Sequence, residues 1–360
     1  MKIVNIKSLV IILAAACAAQ GGVLSADAKT SSKKGTSGSV RTVYKSPDGK
    51  EWIHQGKSGI YITKDSLGIV RAQQSYSGGP STGKNYAAVV SEYARRLKDD
   101  GVTVYSLLAP TQGEFYLPEP VSTQGAEAAA LARIATYFDP LVVPVQVSDT
   151  LRAHKAEKLY NYTDHHWAGL GAYYAAKVLA QEAGVPFRPL SEYTRAEVKD
   201  YVGTMYSFSG DPAVKNSPET FVYYMPPEGY EAEFITYKLS GSKTVGESAP
   251  EKRAFFRKYP DGAGGAYCVY MGGDTFTVKV TGTGGTPGRK ILIVKDSFGN
   301  ALVPALFGSF EEVHVTDFRY FPHGLLDYVR KNGITDLVFV NALTIGTSQN
   351  TVRRLENMMK

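Results

Sequence analysis

Cysteine is almost missing: Cys17 and Cys268 are the two in a chain of 360 residues. That excludes a cysteine-ligated zinc site and a disulfide framework. Cys17 lies within an apolar leader. Once the leader is removed Cys268 stands alone, so no intramolecular disulfide is expected and Cys268 reads as a buried structural thiol. Also lacking is any apolar run long enough to span a bilayer: residues 8–19 fall short, and no second candidate follows. There is no internal repeat. A basic body is lacking too. Of the formal charge of +6, the leader holds a net +1 (Lys2 and Lys7 against Asp27). Residues 29–45 hold a net +5 (Lys29, Lys33, Lys34, Arg41 and Lys45), leaving nothing for the remainder. A nucleic-acid-binding face carries a basic stripe on the folded part; none is implied, and no nucleic-acid partner is expected.

The leader has the build of a secretion signal over residues 1–28. Lys2 and Lys7 form the basic region, residues 8–19 the apolar region, and Ala26-Asp27-Ala28 a small-x-small cleavage site. The expected location is secreted, cell-surface or periplasmic. A lipoprotein signal ending at Cys17 fits less well, because Leu13 stands one place too early. Residues 29–48 read as a basic, Ser/Gly-rich linker, and residues 49–360 as one folded domain.

Within that domain apolar patterns alternate between two periods. Residues 50–75 suggest short strands. Residues 84–99 place Ala87, Val90, Ala94 and Leu97 on one helical stripe closed by Gly101. Residues 102–109 form a nearly continuous apolar strand of the kind buried on both faces, and the turn 110–113 leaves its carboxyl end. Helix 124–138, strand 141–147 and helix 168–183 follow. A β-rich stretch is inserted at about 200–285, and from Lys290 the alternation resumes with strand 291–294, helix 300–307, strand 312–316, helix 324–331 and strand 336–340. Such alternation predicts an α/β fold with a parallel sheet.

Two stretches hold candidate chemistry. In Lys290–Phe307, Ser297 follows a buried strand and precedes a helix, where open α/β sheets place their ligands and where backbone N–H groups can face an oxyanion. Capping of the helix by Asp296 or Ser297, a very common use of both residue types, is the simpler account of that stretch taken alone. A serine nucleophile needs a base and a group that orients the base. Of the six histidines, only His165 and His166 lie beside a carboxylate in a dense polar-aromatic cluster, Tyr160-Asn161-Tyr162-Thr163-Asp164-His165-His166-Trp167. Asp164 and His166, two apart, can point the same way from extended backbone. His165 then points away, and Trp167 shields the pair or walls the pocket. A helix cap at Asp164, a metal site made with both histidines, and a satisfied polar core cluster are the competing accounts.

The segment LYNYTDHHWAGLGAYYAAKVLA, with ILIVKDSFGNALVPALFGSFEEVHVTDFRYF far downstream, closely resembles the bacterial family named for its Asp-His-His-Trp motif. That family is similar to the SGNH-hydrolase-like domains of periplasmic alginate O-acetylation proteins. The resemblance covers residues 50–350 in order and character. It implies a three-layer SGNH-hydrolase-like fold with a five-stranded parallel sheet, its blocks circularly rearranged so that the acid and base precede the nucleophile. It also implies Asp164 as orienting acid, His166 as general base and Ser297 as nucleophile. Asn341 is similar in position to the oxyanion asparagine of that fold, while Trp167, Arg319 and Tyr206 are pocket candidates. Three departures are plain: Lys295-Asp296-Ser297 replaces Gly-Asp-Ser, Asp-x-His replaces Asp-x-x-His, and Asn341 lacks the neighbouring Gly-x-Asn-Asp context. The expected protein is a secreted acyl-ester enzyme, an O-acetyltransferase or acetylesterase of an extracellular polysaccharide or cell-wall glycan. No metal or other cofactor is required, and a multi-span membrane O-acyltransferase is the implied acetyl supplier. A non-catalytic glycan-binding or scaffold protein with the same shell is the rival, to which the 24 tyrosines would lend stacking surfaces.

Overall fold

Ile291–Val294, the apolar run ahead of Ser297, is fully buried in strand Thr286–Lys295 and has a parallel neighbour on each side. The computed structural model describes residues 40–360; the signal and most of the linker lie outside the described residues. The main sheet runs in space through Lys243–Glu247, Glu231–Ser240, Phe276–Thr281, Phe310–Asp317, Thr286–Lys295, Asp336–Ala342, Thr103–Ala109 and Val142–Pro144. The strands from Phe310–Asp317 to Val142–Pro144 pair in parallel. On the other edge, Phe276–Thr281, Glu231–Ser240 and Lys243–Glu247 add on antiparallel. Much of the inserted β-rich stretch is therefore an extension of the central sheet. Thr194–Tyr201 and Glu219–Met225 form a separate antiparallel pair.

After Thr286–Lys295 the chain crosses to Phe310–Asp317 on one side, then back to Asp336–Ala342 on the other. The crossover that leaves the serine strand packs on one face and the one that returns past it packs on the other, so the switch point, where open α/β sheets form a crevice, lies at the carboxyl end of the serine strand. Helices cover both faces. Ile291, Ile293, Val338 and Val340 pack with Ala172, Ala176 and Leu179 of helix Gly169–Glu182 and with Leu302 and Leu306. Leu292, Val294, Leu337 and Phe339 pack with Val90, Tyr93 and Leu97 of helix Lys84–Leu97 and with Leu325, Val329 and Leu355. The mixed α/β class expected from the alternation is the one observed.

Two local expectations need correction. Residues 300–307 are not one helix: Gly299–Leu302 is α-helical and Val303–Leu306 is 3-10. Pro304 has no N–H to give to the residue four places back and its ring crowds that carbonyl. The linker expected to reach residue 48 ends earlier, because Arg41–Lys45 is the first strand of a four-stranded antiparallel sheet continued by Trp52–Gln55, Ile60–Lys64 and Val70–Gln74. Thr42, Val43 and Tyr44 are good strand formers, and the cations Arg41 and Lys45 stay exposed. Cys268 is buried, as expected. Among the described residues no helix is long and apolar enough to cross a membrane.

Candidate active site

The serine turn is built by the residue before the serine. Asp296 continues the ladder through its N–H to the Val340 carbonyl (3.2 Å). Its carboxylate then accepts the N–H of Phe298 and the N–H of Ala342, each at 2.9 Å. Asp296, not Ser297, satisfies the turn, which leaves the serine hydroxyl uncommitted to capping. Burial pushes the Asp296 carboxyl up to about 6, against the pull of Arg319 and the two N–H groups. Gly299 is required here, since a Cβ on it would lie 2.6 Å from the Cβ of Lys295.

The acid-base segment is a tied loop. An antiparallel bridge joins Tyr160 to Trp167, and the Asn161 amide donates to the Trp167 carbonyl (3.2 Å). Gln112, from the turn after strand Thr103–Ala109, donates to the Asn161 carbonyl (2.7 Å). The Glu219 carboxylate accepts the N–H groups of Tyr162 (3.0 Å) and Thr163 (2.7 Å), and the Thr163 hydroxyl (2.7 Å). These bonds to groups on several separate segments hold the loop in one shape.

Across the crevice the two stretches meet. His166 Nε2 lies 2.7 Å from Ser297 Oγ, and His166 Nδ1 lies 2.5 Å from Asp164 Oδ1. Asp164 Oδ1 also accepts the His166 backbone N–H (3.0 Å). Its Oδ2 accepts the Tyr201 hydroxyl, the Thr204 N–H and the Thr204 hydroxyl, each at 2.9 Å. Burial alone would raise the Asp164 carboxyl; the two histidines and these donors outweigh it and hold the group well below the usual carboxylate range. An ionised carboxylate only accepts, so Nδ1 carries the imidazole proton and Nε2 is free to accept from Ser297.

A family model for the DHHW protein matches residues 53–316. The chain belongs to the DHHW family. A DHHW family protein from Eubacterium siraeum is 36% identical, with a TM-score of 0.73 over 83% of this chain and 95% of that one. Bacillus cereus PatB1, solved with a sulfonyl adduct, shares the fold at 18% identity, with a TM-score of 0.63 over 82% of this chain and 98% of that one. The O-acetyltransferase domain of Pseudomonas putida AlgJ aligns more loosely, at 12% identity and a TM-score of 0.44 over 85% of this chain and 99% of that one. No match is found among curated proteins.

The four residues of the DHHW motif divide their labour. Asp164 and His166 face Ser297. His165 turns aside, its Nδ1 2.7 Å from the Thr204 hydroxyl; burial, then the neighbouring His166, pushes it down to about 3 and keeps it neutral. Trp167 is fully buried, which corrects the expectation of a pocket wall. Its indole N–H donates to the Phe298 carbonyl (2.8 Å), so it fastens the motif to the serine turn. Arg319 is likewise bound into an ion-pair network: it contacts Asp317 (2.6 Å) and Asp274 (3.0 Å), and the buried Lys295 ammonium contacts the same two carboxylates (3.3 and 3.0 Å). Tyr206 is exposed beside Thr204's turn, with the Lys215 ammonium 5.9 Å from its ring.

Asn341 is fully buried near the end of strand Asp336–Ala342, and neither side-chain amide atom has a hydrogen-bond partner. It shares a sheet face with Leu337 and Phe339. No hydrogen bond is made by the Ser297 N–H among the described residues. Asp164, His165 and His166 also form the one group among the described residues with metal-ligating atoms close together, within 4.8 Å. Both nitrogens of His166, Nδ1 of His165 and both oxygens of Asp164 are already engaged in the hydrogen-bond chain, an arrangement suited to proton transfer.

Sequence reasoning missed Tyr201, Thr204, Glu219 and Tyr267. The last stacks on His166 with ring centroids 3.7 Å apart and planes at 4°. All four come from the stretch read only as β-rich, and nothing in their local spacing marks them.

Proposed function

We propose that this DHHW-family protein is a serine-dependent acyl-ester enzyme, an O-acetyltransferase or acetylesterase of an extracellular polysaccharide or cell-wall glycan. The observation that carries the reading is the unbroken series Asp164–His166–Ser297 at hydrogen-bond distances. His166 Nε2 takes the Ser297 proton as Oγ attacks the carbonyl carbon of an acetyl ester. Asp164 stabilises the imidazolium so formed. The oxyanion is received by the Ser297 N–H and by the Asn341 amide, whose lack of partners supports the assignment. Collapse expels the leaving alkoxide, which takes the proton from Nε2. A sugar hydroxyl or water then gives its proton to Nε2, attacks the acetyl-serine, and the proton returns to Oγ.

The spatial order of the parallel strands supports an SGNH-type core with circularly rearranged blocks. Counted from the serine strand onward and round through the amino-terminal half, the order is second, first, third, fourth, fifth, with the serine at the switch point. The glycan substrate, the location outside the cytoplasm after removal of residues 1–28, and acetyl supply by a multi-span membrane O-acyltransferase rest on the sequence resemblance to alginate O-acetylation proteins.

The test is acetate release from a chromogenic acetate ester, measured on the protein and on Ser297→Ala. Release that drops to background in the variant is expected. Equal release from both would overturn the reading. Adding a soluble glycan and following acetyl on the sugar then separates transfer from hydrolysis.

A further inference from the structure

The hydrogen bonds of His166, Nδ1 to Asp164 and Nε2 to Ser297, act in the plane of the imidazole and leave its two faces to other groups. Tyr267 covers one of them. Its ring lies parallel to the imidazole, 3.7 Å away and tilted by 4°. The His165 ring centroid is also 3.7 Å from that of His166. Two rings at that spacing cannot occupy one face, so the imidazole is held between them.

Tyr267 also reaches the nucleophile. Its hydroxyl donates to the Ser297 carbonyl at 2.8 Å, and burial holds the phenol well above its usual pKa, so it stays a donor. The short segment that bears it grips the serine turn a second time. Seven residues on, Asp274 accepts from the Lys295 ammonium (3.0 Å) and from the Asn300 amide (2.8 Å). One inserted segment thus holds the base by its ring and the serine turn before, at and after Ser297.

We infer that Tyr267 is a positioning residue for acyl transfer, setting the plane of the His166 imidazole and the backbone of Ser297 relative to each other. The inference rests on the serine-enzyme reading. The aromatic face opposite the imidazole also favours the cation formed when His166 takes the serine proton.

The experiment compares Tyr267→Phe and Tyr267→Leu in the full chain, with kcat expressed per active site from the burst of chromogenic product. Tyr267→Phe keeps the stack and loses the hydroxyl bond; a kcat loss of roughly fivefold is expected. Tyr267→Leu removes both, and a loss on the order of a hundredfold is expected, with KM within about twofold of the parent. Parental kcat per active site in Tyr267→Leu would overturn the inference. So would equal losses in the two variants, since the stack would then contribute nothing. Should Tyr267→Leu not fold, Tyr267→Trp takes its place: it keeps an aromatic face without the hydroxyl and should match Tyr267→Phe, and a wholly inactive but folded Tyr267→Trp would overturn the stacking role. Ser297→Ala is run beside them. Activity surviving there defeats the enzyme reading itself, whereas a dead Ser297→Ala with unaffected Tyr267 variants defeats this inference alone.

Discussion

Thr204 meets Asp164 twice, its N–H and its hydroxyl each donating to Oδ2 at 2.9 Å. The hydroxyl has one proton to give, so the His165 nitrogen 2.7 Å from it must be the donor in that pair. One tautomer of His165 is thereby selected, and the second histidine of the motif belongs to the shell that orients the first carboxylate.

Stability on the acid side follows from that arrangement. His165 is pushed down to about 3 by burial and by His166, against about 6.5 for an unfolded histidine. Between those values the unfolded chain binds a proton that the folded one refuses. Stability is therefore full above about pH 6.5 and falls as pH drops towards 3, with a limiting slope of roughly 1.4 kcal/mol per pH unit for this one group. Urea unfolding across pH 4–7 should show a shallower decline in His165→Asn than in the parent. Identical slopes would contradict the half-buried, neutral histidine.

Asp164→Asn should fold and fail. The amide cannot hold the proton on Nδ1 of His166 as a carboxylate does. The expected loss in kcat is about 10³–10⁴-fold with little change in KM, read from steady-state ester hydrolysis alongside circular dichroism of the folded variant.

Gly203 tests the same carboxylate without touching it chemically. A Cβ there would lie 2.4 Å from Asp164 Cβ and 2.6 Å from Oδ2. Gly203→Ala should lower kcat by at least about a hundredfold by displacing the acid. Gly246→Ala serves as the control, because its nearest neighbour is a flexible Lys238 carbon at 3.7 Å; it should retain parental activity.

Lys295 stands where the resemblance implies a glycine before Asp-Ser, and its side chain is bound into an ion-pair network. Its buried ammonium and the Arg319 guanidinium together balance Asp274 and Asp317. Lys295→Met would leave two buried carboxylates to one cation, and a loss of about 3–5 kcal/mol in unfolding free energy is expected, measured by denaturant titration. A loss below about 1 kcal/mol would show that the network does not carry the turn.

The parallel strands, the helices that alternate with them and the pair Asp164/His166 were legible because each has a local signal. Buried parallel strands read as apolar runs, and an acid two residues from a base reads as one face of extended chain. That Ser297 would meet His166 across 131 positions came from the family resemblance, since no spacing encodes it. Tyr201, Thr204 and Tyr267 reach the site only because the inserted segment folds back over it, and that tertiary fact leaves no periodicity behind. Trp167 and Arg319 were placed at the site but not in their parts, because a large aromatic or a cation beside a motif can line a pocket or brace it. The helix Gln349–Asn357 passed unnoticed, with Val352 and Leu355 its only apolar side chains.

The most direct test is to trap the intermediate. Rapid acid quench of the protein with an acetate ester, followed by intact mass and peptide mapping, should reveal one acetyl group on Ser297. In His166→Ala the adduct should not accumulate, and in Ser297→Ala it should be missing. An acetyl group mapped elsewhere, or turnover of the ester without any serine adduct, would contradict the account.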